Sequence, residues 1–316
     1  MVNEHKEEQI PVIKTFYSLG TIIRLRLYGG DSKFAIDEAQ KRIFEIDDRM
    51  SAFKCNSEIS KINNNAGGYA QEISEDTLFV IKKAMQYSEL STGAFDPTVR
   101  PLVALWGIGT ENASIPEEKK IKETLPLVNY RDIIIDEKNH TVKLNHANQS
   151  IDLGSIAKGY AADEVADILH RNGVASAIID LGGNIYALGY KPDGTKWDIG
   201  IQDPLGSRES YIGVANVADK SVVTSGNYER YFLSNGKRFH HILDPRNGYP
   251  SENGLISATI ISDFSIDGDA LTTCIYVMGI EKGMKLLESF EGVESILITE
   301  DKEVYTSSSI YSKKYC

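Results

Sequence analysis

Between residues 175 and 218 strand-like stretches follow one another with no helical pattern between them, and this succession constrains the fold more than any other feature of the chain. ASAIID at 175–180 breaks at Leu181-Gly182-Gly183-Asn184, alternating stretches resume at 197–201 and 211–218, and others follow at 256–261 and 295–300. Strands joined without crossover helices pair antiparallel. The sheets are therefore expected to be antiparallel or mixed with helices packed against them, an α+β class. The glycine pair at 182–183 marks a backbone that needs positive φ or a close approach by another group.

The remaining segments supply the helices. GTIIRLRLY at 20–28 ends in strand alternation, and 32–49 places Ala35, Ala39, Ile43 and Ile46 at helical spacing. A second helix is expected over 74–90, with Ser74 as N-cap and Leu78, Ile81 and Met85 on one face. It gives way to the loop STGAFDPTVRP. DIIIDEKNHTVKLN at 132–145 reads as a hairpin around EKNH. Beyond DLGS, Ala161, Val165, Ile168 and Leu169 line one side of a helix that Asn172 and Gly173 stop.

Composition removes several function classes. With 316 residues, 41% hydrophobic and 25% charged, the chain can bury a sizeable core and is not of disordered composition. A net charge of -11 argues against nucleic acid as partner, while leaving room for a local basic pocket that binds one small anion. Cys55, Cys274 and Cys316 are scattered and odd in number, which implies neither a zinc cluster nor a disulfide framework. The start of the chain carries no signal-peptide pattern, and no run reaches transmembrane length. As written, the sequence implies a cytoplasmic protein. A chain whose export signal or membrane anchor had been removed would read the same way.

Three segments carry chemistry. In SIDGDALTTC, 265–274, two acids and two hydroxyls precede an apolar helix; capping is one reading. The other rests on spacing, because a helix starting near Asp269 stacks Asp269 and Thr273 on one face, a carboxylate and a hydroxyl suited to a hard cation. DLGSIAKG, 152–159, reads as an anion cradle at a helix start with Lys158 adding charge, or as a plain glycine turn with a solvated lysine. Neither common nucleotide fingerprint, G-x-G-x-x-G or G-x-x-x-x-G-K-[ST], is present. His240 and His241 lie in a strand-like segment, so one is expected to face solvent and the other a site or the core. Asp244 and Arg246 nearby suit fixing a histidine tautomer and binding phosphate.

In this order SLGT at 18–21, RMSAFKCNSEISKIN at 49–63, TGAFDPTVRPLVALWGIG at 92–109, DLGSIAKGYAAD at 152–163, DLGGNIYALG at 180–189, TSGNYERYF at 224–232, HHILDPRNGYP at 240–250 and DALTT at 269–273 resemble the FAD:protein FMN transferases, the ApbE family. The resemblance runs from about residue 16 to 310, so residues 1–15 read as an N-terminal extension and 16–316 as a single domain of ApbE-like, T-fold-like architecture. It implies a magnesium-dependent reaction in which FAD is cut at its pyrophosphate, FMN is joined through a phosphoester to a threonine of an acceptor protein's FMN-binding domain, and AMP leaves.

The resemblance also implies residue roles. Asp269 and Thr273 map onto magnesium ligands, with Thr272 as a further candidate and the Ser155 carbonyl completing the protein share. Leu19, Phe53, Ala94, Phe95, Asp96, Asp152, Lys158 and Leu243 map onto FAD contacts, and His241 onto the proposed catalytic position. Phe53, Phe95 and Trp106 are candidate surfaces for the isoalloxazine ring. Leu19 stands where methionine is frequent in the family, Phe53 where tyrosine is, and Thr272 where alanine or aspartate is. Many relatives carry an export signal. The same residues would serve a magnesium-dependent FAD pyrophosphatase if water replaced the acceptor; a flavin-binding protein without chemistry would not need DALTT and His241 together.

Overall fold

The computed structural model describes residues 10–207, 209–307 and 311–313. Its centre is an eight-stranded antiparallel sheet, ordered Val12–Ser18, Thr21–Tyr28, Ser176–Leu181, Asn184–Gly189, Lys220–Gly226, Leu255–Ser262, Glu294–Thr299 and Val304–Thr306. Strand order in space follows strand order in the chain, as short connections and inserted excursions allow. The sheet begins at Val12, so it takes in residues 12–15, which the sequence assigned to an extension.

Alternation decides which residues face the helices. Ile23, Leu25 and Leu27 are fully buried, whereas Ile22, Arg24 and Arg26 between them are exposed. Against the buried face pack helices Ser32–Met50, Ala157–Arg171 and Ser265–Met278, and one core cluster runs from Ile23 to Leu297. Truncating one of these side chains, as in Leu25→Ala, costs about 2–5 kcal/mol because the well-packed site cannot collapse around the void.

The other face is half covered. A three-stranded sheet, Trp197–Gln202, Tyr211–Val217 and Tyr311–Lys313, brings Trp197, Ile199, Ile201 and Val217 onto Val222, Ile261 and Ile296. A third cluster, centred on Leu102, Trp106, Ile121, Phe239 and Leu243, joins the short helix Arg100–Trp106 to the hairpin Tyr231–His240 and the loop after it. No helix among the described residues is long and apolar enough to cross a membrane.

The sheet ends place the site. Gly182 and Gly183, both at positive φ, turn the chain back beside Thr21, and a Cβ on Gly182 would collide with that threonine. Leu19, also at positive φ, occupies the neighbouring turn. The end of strand Lys220–Gly226 and the opening turns of helices Ala157–Arg171 and Ser265–Met278 meet nearby, for Ser225 bonds Thr272 and Gly159 bonds Asp269.

Candidate active site

The helix bearing DALTT starts at Ser265, four residues earlier than Asp269, so Asp269 lies inside the helix rather than at its cap. From there its carboxylate crosses to the other helix. Gly159 N–H donates to Oδ2 at 2.9 Å and Lys158 Nζ lies 3.4 Å from Oδ1, with the lysine also donating to the Gly154 carbonyl at 3.1 Å. The two helices touch because residue 159 is glycine; a Cβ there would run into the Ser265 carbonyl.

Oxygen donors dominate this corner. Asp269 is 4% exposed, Thr273 one turn on is half-buried, and Ser155 sits in the turn before Lys158. Thr272 is fully buried, donates to the Asp269 carbonyl at 2.8 Å and accepts from Ser225 at 2.9 Å, which sets it apart from the other candidate ligands. Among the described residues no three His, Cys, Asp or Glu side chains form a metal cage. One carboxylate with hydroxyl and carbonyl oxygens fits magnesium, which keeps several waters and bridges phosphates, and lacks the imidazole and thiolate donors that zinc or copper favours.

Strand Lys237–His240 stops at the first histidine, and His241 begins the loop beyond it. His241 N–H donates to the Arg230 carbonyl at 3.1 Å and Nδ1 lies 3.2 Å from the same oxygen. A carbonyl can only accept, so Nδ1 carries the proton and Nε2 is left as the basic nitrogen. Burial lowers the pKa of His241 to about 4, the bond to the Arg230 carbonyl opposes that, and positive charge on Arg230, His240 and Lys158 lowers it further. Lys158 is thus within electrostatic reach of both Asp269 and His241.

His240 is the member of the pair that turns into the core. It is buried, Nε2 donates to the Ser251 carbonyl at 3.0 Å, Nδ1 accepts from Ile242 N–H at 3.3 Å, and the ring meets Tyr276 edge-on. Asp244 and Arg246 serve neither a histidine nor an anion. They bind each other bidentately, Arg246 Nε to Oδ1 at 2.8 Å and Nη2 to Oδ2 at 2.7 Å.

The candidate flavin contacts divide into two groups. Phe53 is 77% exposed with the Arg100 guanidinium 4.6 Å from its ring centroid, and Asp152 accepts from Gly154 N–H while one oxygen lies 3.7 Å from Arg100. Leu19 packs at the core margin. Ala94, Phe95 and Leu243 are buried, and Asp96 is spent on architecture: Oδ1 accepts from Thr98 N–H and hydroxyl, Oδ2 from Tyr130 N–H. Burial raises the Asp96 pKa against the pull of those bonds. Trp106 is fully buried, its Nε1 donating to the Gly248 carbonyl at 2.8 Å, so it is core rather than a flavin platform.

A family model described as the ApbE family matches residues 19–297. The chain belongs to that family. Similar proteins include an FAD:protein FMN transferase of Klebsiella pneumoniae, 38% identical over 92% of this chain and 90% of its own length, and one of Treponema pallidum, 35% identical over 93% and 86%. The crystal structure of the ApbE protein from Thermotoga maritima superposes with a TM-score of 0.87 at 33% identity, covering 95% of this chain and 98% of its own. The flavin transferase ApbE from Vibrio cholerae gives 0.86 at 29% identity, covering 96% and 99%.

In this ApbE chain three positions escaped the sequence reading. Arg100 links Phe53 to Asp152, Gly159 presents its N–H to Asp269, and Ser225 fixes Thr272. Only the first had a signal, an arginine inside TVRP next to residues already under suspicion. A glycine N–H and a serine on a strand end become visible once the helices are placed.

Proposed function

We propose that this ApbE protein transfers the FMN moiety of FAD to a threonine hydroxyl of an acceptor flavoprotein, releasing AMP. The observation that carries the reading is the corner where the helices meet: the buried Asp269 carboxylate, held by Gly159 N–H at 2.9 Å, faces Lys158 Nζ at 3.4 Å. The relatives' printed activity, FAD:protein FMN transferase, supports it.

Asp269, Thr273 and the Ser155 carbonyl would hold magnesium, and Lys158 would stand beside the same phosphates. When bound, magnesium neutralises charge that develops on the pyrophosphate as it is cut. His241 Nε2 takes the proton of the attacking threonine while the Arg230 carbonyl holds Nδ1–H. The threonine oxygen bonds to the flavin-side phosphorus, the bond from that phosphorus to the bridging oxygen breaks, and AMP departs with it. Phe53 and Arg100 offer a stacking surface at the rim, with Leu19 at the turn beside it. Ala94, Phe95, Asp96, Asp152 and Leu243 shape the loops around that surface.

Incubation with FAD, magnesium and an FMN-binding acceptor domain, followed by intact-mass measurement, tests the reading. A mass increment of one FMN on the acceptor is expected. Release of FMN and AMP with the acceptor unmodified would replace transfer by pyrophosphate hydrolysis.

A further inference from the structure

Helices Ala157–Arg171 and Ser265–Met278 share a deficiency at their starts. Each is preceded by an apolar residue, Ile156 or Phe264, that offers no side-chain cap to the first turn. Each first turn is served instead by a carboxylate from the other helix. Asp163 accepts from Ser265 N–H at 2.7 Å and from Ile266 N–H at 2.9 Å, one bond to each carboxylate oxygen. Asp269 returns the contact through Gly159 N–H, the third residue of the first helix.

We infer that Asp163 is a positioning residue for the metal site: this reciprocal capping fixes the register of the two helices and so aims the Asp269 oxygen that faces Lys158. The inference rests on the proposed function for its metal, and on the geometry alone for its mechanism. Bonds from first-turn N–H groups to a capping carboxyl oxygen are directional and local. Sliding helix Ser265–Met278 by a fraction of a turn would break both Asp163 bonds and draw Asp269 off Gly159. Ser265 is held further by its hydroxyl, which donates to Asn184 at 2.8 Å and accepts from Ser221 at 2.9 Å. The same helix has an independent anchor at Asp267, which accepts from Lys83 Nζ at 2.9 Å and Tyr87 at 2.7 Å. That anchor holds the helix against Glu75–Leu90 and does not touch the Lys158 helix, which makes it the natural comparator.

The test is calorimetric titration of magnesium into FAD-loaded protein without acceptor, paired with hydrogen exchange at the 265–268 amides of the metal-free protein. Asp163→Asn keeps the shape but offers one acceptor to two N–H donors. It is expected to weaken magnesium by about 10–100-fold, the range for groups that orient metal ligands, to leave FAD affinity within about twofold, and to speed exchange at 265 and 266. Asp267→Asn is expected to lower the melting temperature while magnesium affinity stays at the wild-type value. Wild-type magnesium affinity in Asp163→Asn overturns the inference, as does equal loss in both variants, which would mark general loosening. If the wild type binds no magnesium, the metal reading fails instead, and unchanged exchange at 265 and 266 in Asp163→Asn would refute the capping separately.

Discussion

Lys158 Nζ and Asp269 Oδ1 stand 3.4 Å apart, longer than a tight ion pair, while the other carboxylate oxygen is held by the Gly159 N–H. Replacing Asp269 by alanine removes the one charged group assigned to the cation and orphans a buried N–H. Magnesium heats should vanish from calorimetric titration, transfer should be lost, and stability should fall by about 1–3 kcal/mol for the unsatisfied donor. A variant with intact magnesium-dependent turnover would return Asp269 to a purely structural role.

His241→Asn should retain FAD and lose transfer by about 10²–10⁴-fold, the range for a general base. The pH profile is the sharper measurement. A histidine lowered to about 4 is neutral and basic throughout the range above that value, so the wild-type rate should stay level from pH 8 to 5 and fall only as pH approaches 4. Single-turnover rates with a midpoint near the ordinary histidine value would show that burial does not set the pKa of the working base. His240→Asn disturbs a buried bond to Ser251 and should lower the melting temperature.

Asp163 makes a prediction of its own about stability. Burial pushes its carboxyl up to about 7 although two backbone N–H groups pull the other way. An acid whose folded pKa exceeds its unfolded value of 3.8 stabilises the fold most when protonated, below that value, and loses the contribution as pH rises through about 7. Asp163→Asn cannot titrate there. Denaturant melts should therefore show wild type losing ground to the variant between pH 4 and 8, and parallel curves would contradict the shift.

Phe53 is exposed, so Phe53→Ala should leave folding stability within about 0.5 kcal/mol. FAD affinity should still drop, because the ring and Arg100 together make the rim surface. The wild type should also prefer FAD to FMN, since the AMP half contributes contacts. Equal calorimetric affinity for both flavins would favour simple flavin binding.

Local pattern made much of the fold legible. The period-two burial of Ile23, Leu25 and Leu27 and the Ser74 cap, which accepts from Thr77 N–H, are short-range properties. The start of the helix that carries DALTT was misjudged for the opposite reason. Its cap is Asp163, 102 residues away from Ser265, and no local signal announces an acceptor supplied by another helix. Alternation was read across His240 and His241, but the strand ends at His240 and His241 lies in the loop beyond it, while Tyr276 and the Ser251 carbonyl close over His240. The glycine cradle was legible as a helix start, whereas its attachment to Asp269 is a tertiary contact.

The chain-ordered sheet has a consequence for biosynthesis. Lys158 and Asp269 are 111 residues apart, with strands Ser176–Leu181 to Leu255–Ser262 of the central sheet lying between them in the chain. Such non-local closure is slow relative to helix formation. A nascent chain emerging in order thus completes its glycine cradle long before the carboxylate arrives. Fragments ending before residue 269 would lack the Asp269 carboxylate, so incomplete translation products are not expected to carry out the proposed transfer.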